Sequence, residues 1–216
     1  MKRQFFLALA LCQAAVPAAA GLECAFEPRY HDGNEAALLH ANKDVASRDG
    51  QVLRLKTGSG LVDLRDTDCQ EGPAGECRKY ELAAYWPMLG FYVVHVAHYE
   101  GGEYQIISAR TGEATNLFGF PWLSPDGSRF VTATGDDPYA FFNGIEVWAM
   151  SDVPHREWSC APPNEDGYEV SFCFQEWIGP DRVSLRGART NGLLQGEFSS
   201  VLTHHGSGWA VDRTSR

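Results

Sequence analysis

The chain has 216 residues, 44% of them hydrophobic, 12% aromatic and 21% charged, with 18 Lys and Arg against 28 Asp and Glu for a formal net charge of −10. That is one ordinary domain, or at most two small ones, with enough large apolar side chains for a real core, so disorder, fibrous architecture and a disulfide-dense miniature are excluded. The acidic balance and the lack of any clustered Lys and Arg exclude a nucleic-acid surface, which needs such a cluster to meet phosphates.

Lys2 and Arg3 precede an apolar run from Phe5 to Val16, followed by Pro17-Ala18-Ala19-Ala20. A basic start, an apolar centre and an A-x-A end read as a secretory signal peptide, here residues 1–20. The run is too short to span a bilayer, which takes about 20 apolar residues, and no later run is longer. Removal of residues 1–20 leaves 196 residues with 16 basic against 28 acidic side chains, a net charge of −12. The expectation is a periplasmic or secreted protein that does not span the membrane. Cys12 follows Leu11 and Cys24 follows Glu23, so neither has the small residue that precedes a lipid-modified cysteine.

Residues 21–50 form an N-terminal segment. Pro28 to Gly33 is rich in turn formers, and Asn34 to Ala46 holds Ala37, Leu38, Ala41 and Val45 at helical spacing, with Asp32 as a candidate N-cap and Asp49-Gly50 as the stop. From residue 51 to 216 the pattern becomes short alternating strands about ten residues apart. Val52 to Lys56 and Leu61 to Arg65 enclose Thr57-Gly58-Ser59-Gly60 as a hairpin, and strands follow over Tyr80–Trp86, Phe91–Tyr99, Tyr104–Arg110 and Ala114–Leu117. Ser124-Pro125-Asp126-Gly127 is a strong turn before Ser128–Thr134. Gly144–Met150, Arg156–Cys160, Val170–Trp177, Val183–Gly187, Glu197–His204 and Trp209–Asp212 complete the series. The lack of intervening amphipathic helices disfavours a parallel βαβ fold.

Three segments repeat. Trp86-Pro87-Met88-Leu89-Gly90 leads into Phe91–Val94, Trp122-Leu123-Ser124-Pro125-Asp126-Gly127 into Ser128–Thr132, and Trp177-Ile178-Gly179-Pro180-Asp181 into Arg182–Leu185. Each is a strand ending in tryptophan, a tight Pro/Gly turn and a second strand, followed by a third and a fourth. Residues 51–85 read as an earlier, degenerate unit. Four strands in about 40–50 residues is the pattern of a propeller blade, a small sheet with two apolar faces that only neighbouring sheets can cover. The predicted fold is therefore all-β, a propeller-like stack of about four small antiparallel sheets with a short N-terminal helix. Ser124 to Val131 followed by Gly144-Ile145-Glu146-Val147-Trp148 resembles the repeat of WD-like propellers, in particular the periplasmic propeller proteins of the Tol system. The resemblance implies blade architecture and a protein-binding role in the envelope. It carries over no catalytic residue, because Asp126-Gly127 in that motif makes the turn.

Five cysteines remain after residue 20, and in an exported chain disulfides are the default. Cys69 and Cys77 flank a Gly- and Pro-rich loop, and Cys160 and Cys173 flank Ala161 to Phe172. Each pair reads as a local staple contributing about 2–4 kcal/mol. The sequence leaves the connectivity open and Cys24 without an assigned partner. It has no C-x-x-C pair or spaced histidines for zinc. His95 and His98 are three apart in a strand and so face opposite ways, as do the adjacent His204 and His205. Asp136-Asp137 and Asn164-Glu165-Asp166-Gly167 lack the ligand spacing of a calcium loop. G-x-S-x-G, H-E-x-x-H and a phosphate-cradling glycine loop do not occur, and no pattern calls for a cofactor. The candidate contact residues are Tyr139, Phe141 and Phe142, aromatic side chains expected between the second and third strands of the clearest unit. The sequence thus reads as a non-enzymatic binding or scaffold protein that meets another envelope protein through its loops. The alternative is an envelope hydrolase or carbohydrate-active protein with a site in a cleft.

Overall fold

The computed structural model describes residues 34–67, 77–134, 144–161, 169–190, 194–206 and 208–214. Helix α1 (Asn34–Ala41) is followed by four antiparallel sheets in chain order. The first holds β1 (Ala46–Asp49), β2 (Val52–Thr57) and β3 (Gly60–Arg65), and the second β4 (Lys79–Trp86), β5 (Phe91–Ala97), β6 (Gly102–Ser108) and β7 (Ala114–Leu117). The third holds β8 (Trp122–Leu123), β9 (Arg129–Ala133), β10 (Ile145–Ala149) and β11 (His155–Cys160), and the fourth β12 (Glu169–Gly179), β13 (Arg182–Thr190), β14 (Leu194–His205) and β15 (Gly208–Thr214). In each sheet strands adjacent in sequence are adjacent in space, the simplest antiparallel meander. The expected all-β, propeller-like stack of four small sheets with one short helix is borne out.

Period-two alternation builds the stack. On β5, Tyr92, Val94 and Val96 face the first sheet, where they meet Leu53, Leu55 and Ala46. The intervening Phe91 and Val93 face the third sheet and join a core with Ile106, Leu117 and Phe130. On β9, Phe130 belongs to that second core, while Val131 and Ala133 join a third with Val170, Phe172, Leu185 and Leu202 of the fourth sheet. A strand buried on both faces reads as the continuous run Phe-Tyr-Val-Val. The first sheet reads differently: Leu53 and Leu55 are fully buried, while Arg54 pairs with Asp63 across the solvent face at 2.7 Å. Three cores join four sheets, and among the described residues none joins the fourth to the first.

The repeated turns have local causes. In Ser124-Pro125-Asp126-Gly127 the Gly127 N–H donates to the Ser124 carbonyl at 2.9 Å, and Gly127 adopts φ 68°, which disfavours a side chain. On the fourth sheet the Phe198 ring lies over its cross-strand partner Gly187, where a Cβ would stand 2.3 Å from Phe198 Cζ.

Two expectations are corrected. The helix ends at Ala41 rather than Ala46, because the Asn42 amide caps the Leu38 carbonyl (Nδ2 to O, 2.8 Å) and Ala46 is drawn into a strand opposite Leu55. Burial of Ala46 against the first core outweighs the helix propensity of alanine, which tertiary packing readily overrides. The Cys160–Cys173 staple is not formed: Cys160 is a free thiol, whereas Cys77 and Cys173 are each disulfide-bonded. Cys160 closes β11 at one edge of the third sheet, and it is β8, at the opposite edge, whose Trp122 packs against Phe174 of β12. Cys173 is buried beside Ala188, so neighbours in sequence are set on different sheets. Cys69 lies outside the described residues.

Candidate contact surface at the turn end

The β2–β3, β4–β5, β6–β7, β8–β9, β10–β11 and β12–β13 turns lie at one end of the stack, and backbone bonds tie those of the first two sheets to one another and the two of the third sheet to each other. Gly58 N–H donates to Ala109 O and Ala109 N–H to Gly90 O, both at 2.8 Å, and the Ser59 hydroxyl donates to Thr111 O at 2.6 Å. Met150 N–H donates to Ser128 O at 2.9 Å, joining the two turns of the third sheet. The Asp126 carboxyl accepts from the Ser124 hydroxyl at 2.7 Å and from the Ser128 N–H and hydroxyl, and these bonds hold it below the usual carboxylate range.

Between the second and third sheets this end opens into a cleft of about 470 Å³. Phe91 and Leu89 line it together with Met88 and Met150, the only methionines after Met1. Its rim carries Arg110 of the second sheet paired with Asp152 of the third at 2.8 Å, both side chains mostly in solvent. Four of the five exposed large apolar side chains among the described residues lie at this end, one per sheet: Leu61 (64% exposed), Met88 (95%), Val153 (54%) and Ile178 (50%). Tyr99, the fifth, lies beyond β5, at the opposite end. An unbranched thioether adapts to differently shaped partners, and Leu61, on β3, shares the solvent face of the first sheet with Asp63.

A charged seam joins the third and fourth sheets at the same end. Arg129 Nε donates to Glu157 at 2.8 Å and Nη1 lies 3.7 Å from Asp181, while His204 Nδ1 lies 3.7 Å from the same Asp181 oxygen. The Trp209 indole donates to Glu157 at 3.4 Å and lies beneath the Arg129 guanidinium. Burial by itself would raise the Glu157 carboxyl, but the hydrogen bond and charge of Arg129, with help from Trp209 and His204, hold it below its ordinary value. In the third sheet Glu146, fully buried, accepts from Arg156 Nη1 at 2.7 Å and from the Trp148 indole at 3.1 Å. At the other side of the stack Glu35 of α1 accepts from the Leu82 N–H and from both Nε and Nη2 of Arg48, each at 2.8 Å, which fastens the helix to the first two sheets. The Arg129 and Glu35 groups hold neighbouring elements together, and the Glu146 group ties β10 to β11 within the third sheet.

Tyr139, Phe141 and Phe142 lie outside the described residues, as do Asp136-Asp137 and Asn164–Gly167. The β9–β10 connection that carries the three aromatic residues leaves Ala133 and returns to Ile145 at the end opposite the turns. His95 of β5 stands beside the Tyr104 ring, and His98 Nε2 lies 3.5 Å from Glu103. Among the described residues no three His, Cys, Asp or Glu are placed to hold a metal, and no helix is long and apolar enough to cross a membrane. Sequence reasoning missed Leu61, Met88, Val153 and Ile178. Part of the signal was present: Met88 occupies a turn position next to Pro87, where polar residues are the rule. The chain matches no protein-family model and no curated protein.

Proposed function

We propose that this is an exported, non-enzymatic binding or scaffold protein of a bacterial-type cell envelope, and that it makes contact through the ends of its sheets. The observation that supports this reading most is the turn end, where two methionines line the cleft between the second and third sheets and Met88 and Val153 stand exposed beside it. The polar clusters around Glu35, Glu146 and Glu157 are engaged in internal bonds within and between elements of the fold. The signal-like residues 1–20 support export, and the likeness of Ser124–Val131 to Tol-system propeller repeats supports a partner in the envelope. Site-specific photo-crosslinking tests the reading. With the crosslinker at Met88 or Val153 in growing cells, defined protein adducts are expected in the envelope fraction, and none from Asn116, an exposed β7 residue. Equal labelling from all three positions, or adducts from none, would remove the turn end as a contact surface.

A further inference from the structure

We propose that a disulfide between Cys24 and Cys173 fastens residues 21–33 over the outward face of the fourth sheet. The segment that leads into α1, a helix packed on the first two sheets, then clasps the last sheet as well. On β12, Phe172 looks into the core shared with the third sheet, so its neighbours Ser171 and Cys173 look the other way, off the end of the stack. Both are buried all the same, and so is Ala188, which stands opposite Ser171 on β13. Among the described residues Cys173 and Ala188 form a cluster of two, with no third member to cover them. The other end of the stack shows an uncovered end sheet, where the Arg54 and Asp63 side chains stand open to solvent.

State and reach select the partner. Of the five cysteines after residue 20, Cys160 is a free thiol, and Cys77 and Cys173 are bonded. Cys77, just before β4 of the second sheet, cannot bond Cys173, because the third sheet stands between them. Stacked sheets lie about 10 Å apart, and a disulfide joins Cα atoms no more than about 6.8 Å apart. The partners are therefore Cys24 and Cys69. Thr67 N–H donates to Arg78 O at 2.9 Å and Arg78 N–H to the Thr67 hydroxyl at 2.8 Å. Cys69 is two residues beyond Thr67, a reach of about 7 Å, which suits Cys77 and falls short of the fourth sheet. Cys24 precedes the start of α1 by ten residues. That length spans up to about 33–36 Å, against about 30 Å for three sheet spacings. Leu22, Cys24 and Phe26 fall on one side at strand spacing, so the residue that bonds Cys173 brings apolar neighbours to cover Ser171 and Ala188. The cross-link rests on the export reading for its oxidising compartment and makes no use of the turn end. As the S–S bond forms, the two thiols give up two protons and two electrons to the disulfide of an exchange partner, which leaves as its dithiol.

Disulfide mapping of the full chain, expressed with its own residues 1–20 and alkylated without reduction, decides the matter. Cleavage after basic and acidic residues separates all five cysteines. The peptide Cys24–Glu27 should be found joined to Val170–Glu176, and Cys69–Glu71 to Cys77–Arg78. Cys173 joined to any cysteine other than Cys24, or Cys24 alkylated in full on an exported chain, overturns the proposal and leaves export standing. A chain that keeps residues 1–20 and reacts at every thiol removes both. Thermal melts give a second, independent reading. In a Cys160→Ser background, Cys24→Ser and Cys173→Ser should each lower the melting temperature by about 5–15 °C. The double variant should melt with the single ones, since the same cross-link is lost in all three. A Cys24→Ser variant that melts like its parent, or a double variant that falls by the sum of the two shifts, also overturns the proposal.

Discussion

The indole N–H of Trp177 donates to the backbone carbonyl of Trp122 at 2.9 Å. Two tryptophans that mark the repeat in the sequence are thus bonded to each other, 55 positions apart, across the seam between the third and fourth sheets. Trp122 also stacks on Phe174 of β12 with ring centroids 4.7 Å apart and planes 8° from parallel, and Trp177 meets Trp209 edge to face at 6.4 Å. The repeat therefore encodes a joint between units as well as a strand end.

Replacing Trp177 with Phe keeps most of the aromatic contact and deletes the donor. The variant should lose about 1 kcal/mol, the net worth of one neutral hydrogen bond, read as a lower urea midpoint at unchanged slope. Trp86→Phe is the comparison: its ring packs toward Phe130 with centroids 6.4 Å apart. Equal losses in the two variants would show that the Trp177 indole nitrogen contributes nothing special.

The strands were legible because burial in this stack is periodic. A sheet with a neighbour on both sides writes unbroken apolar runs, and the end sheet writes alternation, so Phe91–Val94 and Val52–Lys56 could be read directly. Strand β1 was not legible, since Ala-Ser-Arg-Asp carries neither β-branched nor aromatic residues and pairs only because β2 lies beside it. The contact face was hidden for a different reason. Leu61 lies near the start of β3, Ile178 nearly ends β12, and Met88 and Val153 sit in turns of the second and third sheets, so only the stacking of the sheets brings them to one end.

The cysteine pattern gives a direct chemical check. Alkylation of the denatured, unreduced protein followed by peptide mapping should label Cys160 fully, while Cys77 and Cys173 react only after reduction. Cys160→Ser should leave the melting temperature within about 2 °C of wild type, because no cross-link is lost. Cys173→Ser removes a bonded partner from a buried position and should cost on the order of 2–5 kcal/mol. Protection of Cys160 before reduction would restore the local pairing with Cys173.

The seam of Arg129, Glu157 and Trp209 predicts the form of the acid limb. Glu157 is more acidic in the fold than in the unfolded chain, since Arg129 and the Trp209 indole outweigh the effect of its burial. The folded state therefore binds fewer protons at this site. The stability that the group contributes is fully present above the unfolded glutamate value of about 4.3, and it is lost as pH falls through the lower folded value. Glu157→Gln cannot titrate and keeps a weaker acceptor for Arg129. The variant should be less stable than wild type at neutral pH, and the gap should close progressively from about pH 5 to pH 3. Asp126, also held low by Ser124 and Ser128, remains in both proteins, so a residual acid slope common to the two is expected. Urea titrations at half-unit pH intervals measure the gap. Two curves that stay parallel down to the acid transition would mean that Arg129 does not hold the Glu157 charge in the folded protein, and that the Trp177–Trp122 hydrogen bond and the apolar core join the third and fourth sheets at this end without it.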